Sequence, residues 1–430
     1  MKNIKSRLII MNFLQFAVWG SYLTSMGGYL FAAGYGELIG WFYAMQGIVS
    51  MFMPAVMGII ADKLIPAQRL LGLCHGIAAL FIAGAGFCGQ NDMLWPMFTL
   101  YSLSVAFYMP TLALSNSVAY TILEQGGYDT VKAFPPIRVF GTVGFIVAML
   151  VCDFAGFQSS PVQFFQCASI GVVLAVYAQM LPNCPVNRSS ENKSFAQRLG
   201  LDAFKLFKNK QMAMFFIFSM LLGVSLQITN GFANSFITSF KNIPEFANTF
   251  GANHANALIS LSQVSETLCI LLIPFCLKRF GIKRVMLIAM FAWVLRFGLF
   301  GLGNPGSGLW MFILSMIVYG VAFDFFNISG SLYVNENTSG EMRSSAQGLF
   351  MIMTNGIGAT VGTLGAQAVV NRLVPATESV DGVVTNGLSV VEGWSTTWLA
   401  FAGYALVVAL LFMVLFRYKH DANKQMDINH

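Results

Sequence analysis

The chain has 430 residues, of which 56% are hydrophobic and 10% are charged, and its formal net charge is +6. Soluble domains carry about 25% charged residues, so this composition excludes a soluble protein and indicates one embedded in a membrane. The positive charge alone would suit a nucleic-acid-binding protein, but its distribution along the chain, described below, argues against that partner.

Polar stretches divide the chain into twelve apolar segments, each long enough to cross a bilayer as a helix of about 20 residues. The first follows Lys2, Lys5 and Arg7 and is too long for the core of a signal peptide, so we expect it to be retained. The fold class predicted is therefore an all-α polytopic membrane protein with twelve transmembrane helices. The predicted spans are 8–33, 38–61, 70–89, 93–122, 136–158, 161–181, 210–239, 254–277, 283–303, 307–333, 343–371 and 394–417.

The most polar long stretch begins at Pro182 and separates six predicted helices from the other six. This predicts an N-terminal six-helix bundle over 1–181, a cytoplasmic linker over 182–209 and a C-terminal six-helix bundle over 210–430.

Lysine and arginine placement predicts the orientation, because these residues concentrate in cytoplasmic loops. When the loops are numbered alternately, 20 of the 24 lysines and arginines fall on one side. Lys241 and Arg372 fall on the other side, and Arg138 and Arg296 lie within or at the ends of helices. Both termini are therefore expected in the cytoplasm, and the positive charge is explained by topology, with no nucleic acid as a partner.

The seven cysteines form no CxxC pair and no cluster with histidine, and most lie in apolar segments. We expect them to be small buried hydrophobic residues, with no metal site and no cofactor. The four histidines are scattered, which gives little support to a histidine proton relay.

Two carboxylates, Glu266 and Asp324, lie near the middle of long apolar segments. Each costs about 2.5–3.5 kcal/mol on membrane-insertion scales. Such a cost is typical of an acid that faces an ion path, a proton site or a polar substrate. A buried salt bridge is the alternative, with Arg138 or Arg296 as the cation. Asp153, near the outer end of its helix, is instead expected at the interface.

Other polar and aromatic side chains recur at helical spacing, three or four residues apart, so that they share a face. Single amides in membrane helices are also often contacts between helices, and Arg138 could extend to the cytoplasmic interface. The candidate binding residues are Arg138, Thr142, Phe145, Gln227, Asn230, Gln263, Glu266, Tyr319, Phe323 and Asp324.

Amides, carboxylates and aromatic rings together suit a small, neutral, polar ligand with a flat face. Amides pair with the edge of a nucleobase and rings stack on its face, but the same residues would suit a disaccharide. A membrane enzyme would need a nucleophile, a metal cluster or a phosphate loop. The glycine-rich stretch 356–362 falls within a predicted helix, where close helix packing is the better interpretation. A sensor is disfavoured because no sizeable soluble domain is present.

Two loops resemble degraded copies of the loop signature of the major facilitator superfamily. One contains Gly58, Asp62 and Lys63, and the other contains a basic cluster around Gly281. Longer stretches at 13–22, 134–145, 226–230, 262–266, 322–330 and 345–350, including PPIR at 135–138 and FDFFNISG at 323–330, resemble bacterial nucleoside–proton symporters of that superfamily.

The resemblance implies two six-helix repeats with substrate held between them. It implies a proton-coupled importer of nucleosides in the bacterial cytoplasmic (inner) membrane, working by alternating access. Arg138, Thr142 and Phe145 would bind nucleoside from the N-terminal half, and the other seven candidates from the C-terminal half. Glu266 and Asp324 would carry the coupling proton. The expected partners are nucleosides, protons and the lipid bilayer, with the protein a monomer and not an enzyme. A disaccharide–proton symporter of the same fold is the alternative.

Overall fold

The structure is a computed structural model, and it describes residues 3–186, 201–381 and 383–418. The described part is almost entirely helical, with one two-stranded antiparallel hairpin formed by β1 (Ser379–Val380) and β2 (Val383–Val384). The all-α prediction is therefore confirmed. The chain divides into two compact units, one from Met1–Tyr29 and Met45–Leu199 and the other from Leu30–Ala44 and Gly200–His430.

The first unit contains long helices whose apolar side chains form a core between them. Leu8, Val118 and Ile122 are among the residues buried there. The helices before the polar linker are α1 (Ile4–Gly20), α2 (Met26–Ala32), α3 (Ile39–Ser50), α4 (Met53–Lys63), α5 (Ala67–Gln90), α6 (Leu94–Gln125), α7 (Thr130–Phe154) and α8 (Val162–Gln179), of which α2 and α3 lie partly in the second unit.

The second unit has a core rich in phenylalanine, including Phe215, Phe350 and Phe412. Its helices are α9 (Lys210–Leu226), α10 (Ile228–Ser239), α11 (Phe250–Asn253), α12 (Ala255–Ile270), α13 (Ile273–Leu302), α14 (Leu309–Asn337), α15 (Gly340–Met351), α16 (Ala359–Leu373) and α17 (Gly387–Leu415). Short 3₁₀ turns lie at Gly36–Leu38, Leu201–Lys208 and Phe240–Asn242, and a π-helix at Ile352–Gly358 connects α15 to α16.

Nine helices in the described ranges are long and apolar enough to cross a membrane, or ten if the bent pair Gly36–Ser50 and Met53–Ala61 counts as one. The other two predicted spans, 8–33 and 254–277, are interrupted. The first breaks between α1 and α2, and the second breaks between α12 and α13. Gly281 then separates the eighth and ninth predicted spans within α13, because its φ of 74° is not helical.

The glycine-rich stretch packs against a neighbouring helix, as the sequence predicts. A Cβ on Gly358 would collide with the backbone oxygen of Met220, and one on Gly362 with that of Val224. The two backbones therefore approach where only glycine leaves room. This is the small-residue contact typical of membrane helices, and it confirms the packing interpretation.

The segment 30–44 lies in the N-terminal half of the sequence but belongs to the second unit. Gln367 holds it there, because its Oε1 accepts from the Gly40 N–H at 2.6 Å and its Nε2 donates to the Gly36 carbonyl at 2.9 Å. The predicted boundaries 1–181, 182–209 and 210–430 stay a prediction. Of the predicted linker, 187–200 lies outside the described residues. Its start is fastened to the first unit by Gln68, which bonds Asn183 and the Cys184 N–H.

All seven cysteines are free thiols, and six of them are buried. This confirms their interpretation as small hydrophobic residues of the packed interior.

Candidate functional site

In the first unit, α7 carries three candidates on one face. Arg138 lies over the ring of Phe16, with 3.8 Å between the guanidinium carbon and the ring centroid. One turn on, Thr142 is half-buried. Phe145 is 5% exposed and meets the indole of Trp19 edge to face at 6.3 Å. The structure therefore fixes Arg138 and Phe145 against aromatic rings of α1, two partners that the sequence spacing did not identify.

In the second unit, two predicted amides hydrogen-bond to each other. Asn230 Nδ2 donates to Gln227 Oε1 at 2.9 Å, and both side chains are half-buried. This pairing leaves the Gln227 N–H groups and the Asn230 carbonyl oxygen to meet another molecule. A donor next to an acceptor is the pattern that the edge of a nucleobase complements.

The aromatic candidates of α14 form a pair. The rings of Tyr319 and Phe323 lie parallel, with 5.6 Å between centroids and 6° between planes. They are four residues apart, so the helix itself brings them together. Phe323 also lines a recess with Trp293, Asn327 and Thr354. Phe323 therefore lies between the buried Tyr319 ring and this small recess.

Asp324 follows Phe323 directly and is 5% exposed. Its Oδ2 atom has no hydrogen-bond partner among the described residues. Glu266 lies on α12, which packs against α14 where Gly320 meets the Ser265 carbonyl. Gln263 lies one turn before Glu266 on the same helix and is half-buried. The structure thus groups the two acids and Tyr319 on two packed helices, as their positions in the sequence could only suggest.

Two other ionisable residues are buried. Asp153, expected at the interface, is buried, and it accepts a hydrogen bond from Gln158 Nε2 at 2.8 Å. Arg296 is also buried, but its hydrogen bonds go to Ser315 and Ser262 and not to a carboxylate. The salt-bridge alternative therefore has no support at Arg296 in the described part of the chain. Within that part, no cluster of three metal-ligating side chains is found either.

Sequence reasoning missed a buried polar network in the first unit. His75 Nε2 lies 2.8 Å from Gln15 Oε1, and Gln15 Nε2 donates to Thr111 Oγ1 at 2.8 Å. Tyr108 donates to the Gln15 carbonyl. These residues are far apart in sequence, so no local spacing could have brought them to attention.

Known proteins share both this sequence and this fold. The nucleoside permease NupG of Escherichia coli (strain K12) is 47% identical over 421 residues, covering 97% of each chain. Xanthosine permease of the same organism is 47% identical over 425 residues, covering 98% of each chain. A crystal structure of the nucleoside transporter NupG superposes with a TM-score of 0.87 at 46% identity, covering 97% of this chain and 100% of that chain.

These matches confirm the predicted major facilitator fold. The relatives are named as permeases, which supports a multi-pass transporter of the inner membrane and not an enzyme. The family described as "Nucleoside H+ symporter" matches residues 1–421. The chain therefore belongs to the nucleoside H+ symporter family.

Proposed function

We propose that this chain imports nucleosides together with protons by alternating access. One observation carries the proposal: a buried, incompletely hydrogen-bonded carboxylate, Asp324, directly follows a ring of the stacked pair Tyr319–Phe323. The candidate proton site and the aromatic pair then lie on the same two turns of α14. Binding of the proton and binding of a flat substrate can influence each other there.

The charges of this cluster favour a neutral nucleoside over a nucleotide. Glu266 and Asp324 would repel a phosphate group, and a charge–charge repulsion is strong where water is scarce. When one or both of them carry a proton, the same carboxyl groups can hydrogen-bond to ribose hydroxyls. Stacking of a base on an aromatic ring contributes about 1–3 kcal/mol and tolerates any base. We assign base and ribose contacts to Gln227, Asn230 and Gln263 with the α14 residues, and further contacts to Arg138, Thr142 and Phe145.

Burial disfavours a carboxylate anion, which gives the coupling step its physical basis. A carboxyl group of the Glu266–Asp324 pair takes a proton from the periplasm, and nucleoside binds beside the neutral group. Release of the proton to the cytoplasm restores the anion and completes the cycle. One proton crossing about 100 mV supplies about 2.3 kcal/mol, enough for roughly fifty-fold accumulation. No cofactor is needed, and the proton is the coupling ion.

Uptake by proteoliposomes with an imposed pH gradient tests this function. We expect labelled uridine and adenosine to accumulate, and a protonophore to abolish the accumulation. Uridine monophosphate and maltose should not compete. Accumulation that survives the protonophore would disprove proton coupling, and competition by maltose would favour the disaccharide alternative.

The orientation and oligomeric state are part of the proposal. With 20 of 24 basic residues assigned to one side, both termini lie in the cytoplasm. The protein works as a monomer. A fluorescent protein fused after His430 should then fold and fluoresce, whereas alkaline phosphatase fused there should be inactive. The reverse result would contradict the orientation. Light scattering of the purified protein should give the mass of one chain.

A further inference from the structure

Arg296 is a buried cation in the C-terminal part of α13, six residues before its end, and it is 2% exposed. Arginine in a membrane helix is costly and is usually paired with an acid. Here the guanidinium has no carboxylate among its contacts in the described ranges. Nη1 donates to the Ser315 carbonyl at 2.6 Å and makes a long contact of 3.4 Å to Ser262 Oγ, while Nε has no partner. An unneutralised charge at this place calls for an explanation.

The remaining contacts of the guanidinium are aromatic. Its central carbon lies 4.6 Å from the centroid of the Tyr319 ring and 5.5 Å from that of Phe300. Both distances are within the range of a cation–π interaction, which strengthens when the cation is shielded from water. The tyrosine ring also meets Trp293 edge to face at 6.0 Å. Tyr319 is therefore held from α13 by a cation and an indole.

We propose that Arg296 is a positioning residue for substrate binding, because it fixes the Tyr319 ring in its parallel stack with Phe323. This rests on the proposed nucleoside site, in which the half-buried Phe323 presents its ring to the base and Tyr319, 5% exposed, stacks on that ring. A tyrosine side chain free to rotate would have to be ordered when the ligand binds, at a cost in affinity. A ring already held in place avoids that cost.

The arrangement around the arginine separates this role from packing alone. Ser315 Oγ donates to the Arg296 carbonyl at 2.9 Å, a bond made by the backbone of residue 296. That contact between α13 and α14 needs no particular side chain at 296. A neutral donor such as glutamine could also bond the Ser315 carbonyl. The positive charge is required only by the interactions with aromatic rings, of which the one with Tyr319 is the shorter, at 4.6 Å against 5.5 Å for Phe300.

The test is a double-mutant cycle on uridine binding, measured by calorimetry on the purified full-length protein. Arg296→Gln removes the charge but keeps a hydrogen-bond donor, and Tyr319→Leu removes the ring. We expect Arg296→Gln to weaken binding about 3- to 30-fold in the wild-type background. In the Tyr319→Leu background the same change should have no more than about a two-fold effect, because the ring it positions is gone.

Further variants keep the result interpretable. In Tyr319→Phe, which retains the ring, the full effect of Arg296→Gln should return. Arg296→Lys keeps a cation and should retain most of the affinity, whereas Arg296→Met, which also lacks the charge, replaces Arg296→Gln in the cycle if that variant does not fold. In uptake assays, KM should rise while the maximal rate stays within about two-fold of wild type. Arg284→Gln, an exposed arginine of the same helix, is the matched control and should leave affinity unchanged.

The outcomes separate this inference from the function beneath it. If the effects of Arg296→Gln and Tyr319→Leu multiply, Arg296 acts only through general stability and the inference is wrong, while nucleoside binding stands. If wild-type protein binds no nucleoside, the proposed function fails and the inference fails with it.

Discussion

Replacing Asp324 by asparagine should separate transport from its driving force. The two side chains have the same shape, but the amide cannot take and release the coupling proton. Asp324 is buried, and its Oδ2 atom has no hydrogen-bond partner among the described residues. Asp324→Asn therefore breaks no hydrogen bond at that oxygen, and the variant should fold normally. The expected loss is confined to the proton-linked step.

The magnitude follows from the charge moved. One proton per nucleoside across about 100 mV supports roughly fifty-fold accumulation. If Asp324 is the coupling acid, the accumulation ratio in Asp324→Asn should fall to about 1. Exchange of internal for external nucleoside, which needs no net proton movement, should continue. If Glu266 carries the proton instead, Glu266→Gln should give this pattern.

The assay compares uphill uptake and counterflow in the same proteoliposomes. Asp153→Asn is the control, because Asp153 is also a buried acid of a membrane helix but lies at its end, is bonded to Gln158 and is outside the cluster. It should accumulate uridine like wild type. Wild-type accumulation in both Asp324→Asn and Glu266→Gln would refute the assignment of coupling to this pair.

Three further predictions concern binding, packing and thiol chemistry. Phe145→Ala should weaken the binding of purine and pyrimidine nucleosides alike, about 5- to 150-fold by calorimetry. Phe140, on the same helix, is 41% exposed, and Phe140→Ala should leave binding unchanged. Unchanged binding by Phe145→Ala would remove Phe145 from the site. Gly362→Val should destabilise the protein by about 1–3 kcal/mol in thermal unfolding. Gly365 has open space around it, so Gly365→Ala should leave stability unchanged. Equal unfolding temperatures for Gly362→Val and wild type would contradict the close approach of α9 and α16. Burial raises the pKa of the Cys184 thiol to about 11. Because the thiolate is the reactive form, the rate of Cys184 alkylation, measured by mass spectrometry, should rise about tenfold per pH unit from pH 8 to 10. A rate that levels off near pH 8.5 would contradict the raised pKa.

The sequence predicted what local patterns control. Apolar length, charge distribution and helical spacing are properties of short stretches, so they identified a polytopic α-helical protein. They also placed Tyr319 and Phe323 four residues apart, which is the spacing of the stacked pair. Motifs such as the one at 323–330 led to the family because they are long enough to be specific.

What remained depended on contacts between distant parts of the chain. Apolar length did not locate the breaks in the spans 8–33 and 254–277, although Pro274 stands at the start of the helix that follows the second break. The hold of Gln367 on the segment 30–44 joins residues more than 300 positions apart. The sequence left Arg296 as one of two possible cations for the salt-bridge alternative. Only tertiary packing set its guanidinium against the Tyr319 ring. The sequence of one helix does not determine which of its faces contacts which face of a neighbouring helix.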